Sequence, residues 1–227
     1  MQNKEFLGTE PIGKLLFKLA IPTVLAQIIN MLYNIVDRIF IGHIEGVGDY
    51  ALTGVGICMP IIMAISAFAA LISTGGAPRA SICLGENKTK DAEKILGNCF
   101  SLQIIVSIIL TILILIFNKD LLMAFGASEN TIAYATEYMS VYAIGTLFVQ
   151  LTLGMNAFIS GQGFTQVSML SVIIGAAANI VLDPVFIYGL GLGVRGAAIA
   201  TVLSQAASTV WIILFLLGNQ FLHPVFT

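Results

Sequence analysis

Four polar residues repeat at helical spacing inside the first long apolar segment. Gln27, Asn30, Asn34 and Asp37 follow one another at intervals of three, four and three residues. At 3.6 residues per turn they lie within about 80° of one another, so they form one stripe that ends in a carboxylate. The amides alone are typical of contacts between apolar helices. A carboxylate is a costly way to make one such contact, so Asp37 is a candidate ion-binding residue.

A second carboxylate occurs near the end of another apolar segment. Asn179 and Asp183 are one helical turn apart, and Pro184 follows directly. Proline has no N–H to donate and its ring crowds the carbonyl four residues back, so a kink is expected there. A carboxylate, an amide oxygen and a freed carbonyl are hard ligands for a small cation. The alternative is a structural kink beside a neutral, hydrogen-bonded aspartic acid.

The last apolar segment also carries a polar face. Its members, at helical spacing, are Thr201, Ser204, Gln205 and Ser208. Hydroxyl side chains inside a helix can simply return a hydrogen bond to their own backbone, so the two serines have an alternative structural interpretation. With the amides of the first segment, Ser204 and Gln205 are candidate lining residues of a polar chamber.

The apolar segments themselves predict membrane-spanning helices. The chain has 227 residues, of which 58% are hydrophobic and 10% charged, against about 25% charged in soluble domains. A span needs about 20 apolar residues, and only helices or closed barrels satisfy the backbone in lipid. The runs lack the alternation of a barrel. We therefore predict an all-α integral membrane protein with helices at about 15–42, 52–75, 94–117, 132–158, 165–188 and 197–218.

The basic residues predict the orientation of this six-helix unit. Seven lie before the first helix or around the second connection, and two lie in the third and fifth connections. The positive-inside rule then places both termini in the cytoplasm. The predicted division is a cytoplasmic segment 1–14, a six-helix lobe 15–218 and a cytoplasmic tail 219–227, which we expect to be truncated before a second lobe.

Depth brings three of the candidate residues together. Asp37 and Asp183 lie before the outer ends of outward-running helices, and Thr201 follows the start of an inward-running one. At 1.5 Å per residue, all three lie roughly 6–9 Å below the outer boundary. Three helices that place oxygen ligands at one depth predict a chamber for a proton or a small cation, and two carboxylates predict pH-dependent activity.

Other classes of function lack their residues. The chain has no basic run long enough to bind nucleic acid. Cys58, Cys83 and Cys99 fit neither a zinc site nor a disulfide framework. No nucleophile–base pair or nucleotide-binding glycine loop is evident, so we expect no enzyme activity, no organic cofactor, and no metal beyond a possible Na⁺.

Four sequence stretches together resemble the multidrug and toxic compound extrusion (MATE) transporters, and most closely their MepA-like and DinF-like bacterial members. The resemblance covers about residues 10–217. The stretches begin with Leu32-Tyr33-Asn34-Ile35-Val36-Asp37-Arg38-Ile39-Phe40-Ile41-Gly42-His43, followed by the connection at 85–98 and the segments at 179–189 and 193–201.

The resemblance implies a twelve-helix fold of two six-helix lobes, of which this chain is the N-terminal one. It implies a bacterial cytoplasmic membrane protein that exports amphipathic organic cations and drugs, driven by inward H⁺ or Na⁺. In DinF-like members the cation site of this lobe uses residues that match Asp37, Asn179, Asp183 and Thr201. The implied partners are the lipid bilayer, organic cations, and either the missing C-terminal lobe or a second copy of the chain.

Two alternatives stay open. The chain is either a working antiporter lobe or a truncated, non-transporting fragment that acts as a helix-bundle interaction module. A flippase of lipid-linked precursors is the other transport alternative. Such a protein would line its cleft with basic residues for an anionic head group, and only Arg38 is available inside a predicted span.

Overall fold

The computed structural model describes residues 10–218. These form seven α-helices and one π-helical turn. Most of the predicted segment 1–14 and the predicted tail 219–227 lie outside the described residues. In chain order the helices are α1 (Ile12–Gly42), α2 (Gly48–Gly85), α3 (Thr89–Ala124), α4 (Ile132–Ile144), α5 (Thr146–Gly161), α6 (Thr165–Pro184), the π-helical turn (Val185–Gly189) and α7 (Gly193–Gly218).

Five of these helices, α1, α2, α3, α6 with its π-helical turn, and α7, are long and apolar enough to cross a membrane. The pair α4 and α5 passes the same test only when taken together. The described part of the chain therefore has five candidate spans, or six if the bent pair is one span. The prediction of an all-helical membrane protein is confirmed. The predicted number of six spans holds only if α4 and α5 form one span.

A break at Gly145 divides the fourth predicted helix. The sequence predicts one helix over 132–158, whereas the structure bends by 57° between α4 and α5. Gly145 lies so close to α7 that a Cβ atom there would overlap the side chain of Val202. Because Gly145 has no side chain, α7 can pack directly against the bend between α4 and α5. Hydropathy does not report such a contact, so the sequence did not predict the bend.

Helices α2 and α3 are longer than the apolar runs that predicted them. They have 38 and 36 residues, which correspond to about 57 and 54 Å at 1.5 Å per residue. The hydrocarbon core of a bilayer is about 30 Å thick. The predicted bounds 52–75 and 94–117 followed the uncharged residues only, while the helices continue into the polar connection between them.

The packing order places α1 at one side of the bundle. It packs mainly along α6, with smaller contacts to α2 and α7. Large apolar side chains of α1 remain exposed over its length, including Phe17, Val24 and Ile35. The remaining helices enclose two buried apolar clusters, one around Met139 and Ile65 and the other around Phe158 and Leu96.

A π-helical turn follows α6 directly. The regular α-helix ends at Pro184, where the sequence predicts a kink, and the five residues Val185–Gly189 continue as π-helix. Gly196 of α7 packs against this turn, and a Cβ atom at Gly196 would lie 2.6 Å from the carbonyl oxygen of Phe186. The turn and α7 therefore approach more closely than any side chain would permit.

Candidate functional site

The buried contact between α1 and α6 contains the two candidate carboxylates. Asp37 on α1 has 8% of its surface exposed, and Asp183 on α6 is fully buried. Their carboxyl groups lie close enough to interact with each other. The Nδ2 atom of Asn179 donates a hydrogen bond to Oδ1 of Asp183 over 3.1 Å. The packing of α1 on α6 thus brings three of the four predicted ligands together.

Three oxygen atoms at this contact accept no hydrogen bond from any described residue. They are Oδ1 of Asp37, Oδ1 of Asn179 and Oδ2 of Asp183. A buried polar atom without a partner is costly, and buried charges are ordinarily paired or bound to a metal. Two carboxyl groups and an amide oxygen, all acceptors, suit a positively charged or proton-donating ligand.

Helices α4 and α7 complete the surroundings of the pair. Tyr138 of α4 is buried and lies beside both Asp37 and Thr201. Thr201, on the first half of α7, is the fourth predicted ligand. Tyr142 stacks on Tyr138, with ring centroids 6.0 Å apart and planes inclined by 17°. Both tyrosines line the same cavity as Asp37 and Thr201.

A cavity of about 460 Å³ opens beside these residues. Asp37, Asn179 and Thr201 line it, whereas Asp183 lies in the protein interior and does not. The predicted chamber residues Gln27, Asn30, Asn34, Ser204 and Gln205 all line the cavity as well. The polar stripes of α1, α6 and α7 therefore face one common space.

The cavity wall is rich in amides and poor in charge. Among the described residues that line it, the charged ones are Asp37 and Arg38, which are adjacent on α1. Arg38 is exposed and makes no ion pair with a described residue, while Asp37 is mostly buried. Apolar patches contributed by Met59, Leu153 and other side chains separate the polar groups. Such a mixed wall suits amphipathic ligands.

Some of the polar residues have structural partners. The hydroxyl group of Ser204 donates to the carbonyl oxygen of Ala200 in its own helix, which is the structural interpretation left open from the sequence. Ser208 instead donates across to the carbonyl oxygen of Ser171 on α6. The Nδ2 atom of Asn34 donates to the carbonyl oxygen of Asn30 over 2.7 Å.

Asn156 and Tyr33 also line the cavity, which the sequence pattern did not predict. Asn156 on α5 exchanges hydrogen bonds with the hydroxyl group of Ser171 on α6, at 2.8 and 3.1 Å. A single amide in an apolar stretch was the available signal for Asn156. Its partner belongs to a different helix, so the sequence could not show which space the amide faces.

The described residues contain no group of three or more His, Cys, Asp or Glu side chains that could hold a metal ion. Asp37 and Asp183, with the neutral amide of Asn179, are two carboxyl groups that the structure brings together beside the cavity.

The amino-acid sequence around this site matches a known protein family. The model of the MatE family matches residues 22–185, which include both carboxylates and most of the cavity wall. The chain belongs to the MatE family.

Curated relatives of the chain include the multidrug export protein MepA of two staphylococci. The chain is 25% identical to MepA of Staphylococcus haemolyticus over 204 residues, which are 90% of this chain and 45% of the relative. MepA of Staphylococcus aureus is 24% identical over 215 residues, which are 95% of this chain and 47% of that protein. The chain therefore spans about half the length of the curated relatives that it matches.

A solved MatE-family structure supports the fold. The outward-facing conformation of a multidrug resistance MATE family transporter matches with a TM-score of 0.88 and 29% identity, covering 97% of this chain and 48% of the other. The resemblance inferred from the four sequence stretches is thus confirmed. The chain belongs to a family with bacterial transporter members, and its long apolar helices are those of a multi-pass membrane protein.

Proposed function

We propose that the chain is the N-terminal lobe of a cation-coupled exporter of amphipathic organic cations in the bacterial cytoplasmic membrane. The single observation that carries the proposal is the set of unpartnered oxygens on Asp37, Asn179 and Asp183 beside a cavity. The MepA relatives are multidrug export proteins, and we extend this activity to the chain through its family.

In this proposal H⁺ or Na⁺ binds between Asp37 and Asp183, with Asn179 and Thr201 as neutral ligands. Occupying the unpartnered oxygens stabilises the form in which α1 and α6 lie together. An ion shifts an equilibrium only if it binds one form better than the other. A form in which α1 moves away from α6 lacks one carboxylate, so the ion favours the closed contact.

The organic cation is proposed to bind in the cavity. Its volume of about 460 Å³ lies within the range of about 300–1,000 Å³ found for small-molecule sites. Asp37 lies on the wall of this cavity and also in the ion site. A cationic substrate and the coupling ion would therefore compete for the same carboxylate, which is the requirement for exchange.

The membrane arrangement is part of the proposal. We take α4 and α5 as one bent span, which gives six spans and places both termini in the cytoplasm. The lobe corresponds to about residues 15–218. The partner that completes the transport path is a C-terminal lobe or a second copy of the chain, arranged about an axis along the membrane normal.

Efflux of ethidium from cells that express only this chain tests the proposal. Asp183→Asn keeps the size of the side chain but removes its ability to ionise, so we expect efflux to fall to the background rate. Asp120→Asn is the matched control, because Asp120 is exposed and lies away from the cavity. Membrane insertion of each variant is checked separately by its amount in the membrane fraction.

The outcomes separate the alternatives. Efflux that is lost in Asp183→Asn and kept in Asp120→Asn supports a working antiporter formed from copies of this chain. Normal efflux by Asp183→Asn contradicts the proposed coupling site. If an inserted chain shows no efflux alone or with a C-terminal half supplied from a MatE relative, the non-transporting fragment is the better interpretation.

A further inference from the structure

The outer end of α1 is joined to the π-helical turn by a tyrosine. The hydroxyl group of Tyr188 donates a hydrogen bond to the carbonyl oxygen of Phe40 over 2.6 Å. The rings of the two residues also meet edge to face, with centroids 6.2 Å apart. Phe40 lies one helical turn after Asp37, and Tyr188 lies five residues after Asp183. The contact therefore lies just beyond the carboxyl pair.

The two sides of this contact are held differently. On one side, the amide N–H of Leu190 donates to the carbonyl oxygen of Val185 over 2.8 Å, and the turn packs against Gly196 of α7. On the other side, α1 packs chiefly on α6 and exposes apolar side chains along its length. Tyr188 thus extends from a fixed turn to the less embedded helix.

The acceptor explains why the bond forms at this position. Phe40 lies in the last turn of α1, where carbonyl groups lack the regular partners of a helix interior. The amide N–H of His43 reaches the same oxygen over 3.2 Å, which leaves a second lone pair for the tyrosine. Tyr188 is 45% exposed, so its hydrogen bond can open without disrupting the packed interior of the bundle.

We propose that Tyr188 is a positioning residue that holds the outer end of α1 against α6 and thereby keeps Asp37 beside Asp183. Release of its hydrogen bond frees the outer end of α1 to move during transport. We call the hydrogen bond from Tyr188 to Phe40 the latch. Its role in transport rests on the proposed function, whereas the contact itself is present in the structure. Tyr188 does not line the cavity, so it acts on the helix and not on the substrate.

Distances between spin labels test the latch in the full chain in lipid nanodiscs. Labels at Ile39→Cys and Met123→Cys report the position of the outer end of α1, because both sites are exposed and lie on α1 and α3. The half-buried Cys83 and Cys99 are replaced by serine so that they do not take up the label. Cys58 is buried and is therefore kept. Tyr188→Phe removes the hydroxyl group alone, and one lost hydrogen bond predicts about a fivefold increase in the displaced population of α1.

Tyr50→Phe is the matched control. Tyr50 is 48% exposed near the start of α2, and its hydroxyl group bonds to no described residue. A distance distribution that changes in Tyr188→Phe and stays constant in Tyr50→Phe supports the latch. A distribution that is the same in Tyr188→Phe as in the parent chain overturns it, as does an equal change in both variants.

Transport kinetics give a second readout that a merely structural role would not produce. Because Tyr188 lies outside the cavity and acts on the movement of α1, Tyr188→Phe should change the maximal efflux rate severalfold. Any change in the half-saturating ethidium concentration should be the smaller of the two effects, because Tyr188 reaches the substrate only through Asp37. A changed half-saturating concentration at constant maximal rate contradicts the latch. Absence of efflux from the parent chain would count against the proposed function, whereas the distance measurement would still decide the latch.

Discussion

At the scale of single residues, the two carboxylates occupy unequal positions. Asp183 is fully buried and receives a hydrogen bond from Asn179, whereas Asp37 lies on the cavity wall. Asp183 is thus held in place by its own helix, and only Asp37 faces the space that a ligand enters. In the proposed exchange, Asp183 binds the coupling ion, and Asp37 binds the ion and the organic cation alternately.

Replacing Asn179 by alanine tests this division. The change removes the donor to Asp183 and one of the unpartnered oxygens. Contacts between polar groups and charges contribute about 1.5–3 kcal/mol, so loss of the amide oxygen should raise the Na⁺ concentration at half-maximal efflux about tenfold or more. The amide donor stabilises the ionised carboxylate of Asp183, so with H⁺ as the coupling ion its loss should strengthen binding, and half-maximal efflux should need a lower proton concentration. The measurement is ethidium efflux as a function of Na⁺ concentration and, separately, of external pH.

Asn118→Ala is the control for loss of a buried amide. Asn118 donates to the carbonyl oxygen of Thr136 and to the hydroxyl group of Ser140, away from the cavity. This variant should lose stability without a change in ion dependence. Equal shifts of the ion dependence in both variants would show that Asn179 has no specific role in binding the ion.

At the scale of elements, the site depends on irregular backbone at two places. The α-helix ends one residue after Asp183 and gives way to the π-helical turn, and α4 bends into α5 at Gly145. π-Helical turns are rare and occur frequently at functional sites. Both irregular places pack against α7, which carries Thr201 and therefore connects them to the carboxyl pair.

Gly196→Ala tests the packing of the π-helical turn on α7. A methyl group there would lie 2.6 Å from the carbonyl oxygen of Phe186, and a backbone atom cannot move aside cheaply. Overpacking of this kind costs about 1–3 kcal/mol, so the unfolding temperature in detergent should fall by several degrees. Gly75→Ala is the control, because a Cβ atom at Gly75 meets nothing within 4 Å. That change in the interior of α2 should leave the unfolding temperature equal or higher.

Periodicity predicted the faces of the helices but not the contacts between them. The stripe from Gln27 to Asp37 faces one cavity because its spacing alone fixes a common side of α1. The pairing of Asn156 with Ser171, the bend at Gly145 and the bond from Tyr188 to Phe40 depend on which helices become neighbours. Neighbours are set by packing of the whole bundle, and hydropathy and local spacing do not encode that.

At the scale of the whole molecule, α1 presents a large apolar face beside the cavity. Exposed side chains such as Leu16, Met31 and Ile39 belong to this face. Lipid covers such a face in a membrane, and in the proposed function a partner lobe would cover the side on which the cavity opens. The chain spans about half of its curated relatives, and the proposed function assigns the rest of the substrate path to a C-terminal lobe or to a second copy of the chain.

The proposed orientation of the bundle places the connection between α2 and α3 in the cytoplasm and the connection between α1 and α2 outside the cell. Exposed residues Lys88 and Glu45 lie in successive connections on opposite sides of α2, and Lys88 belongs to the basic group that the positive-inside rule places in the cytoplasm. In intact cells, a membrane-impermeant maleimide should label Glu45→Cys strongly and Lys88→Cys only after the cells are opened. Gly191→Cys, in the connection before α7, should behave like Glu45→Cys. Labelling of Lys88→Cys from outside, with Glu45→Cys protected, would invert the bundle and move the carboxyl pair to the cytoplasmic half of the membrane. In that case the coupling ion would reach Asp37 from inside the cell, and the proposed inward drive for export would be wrong.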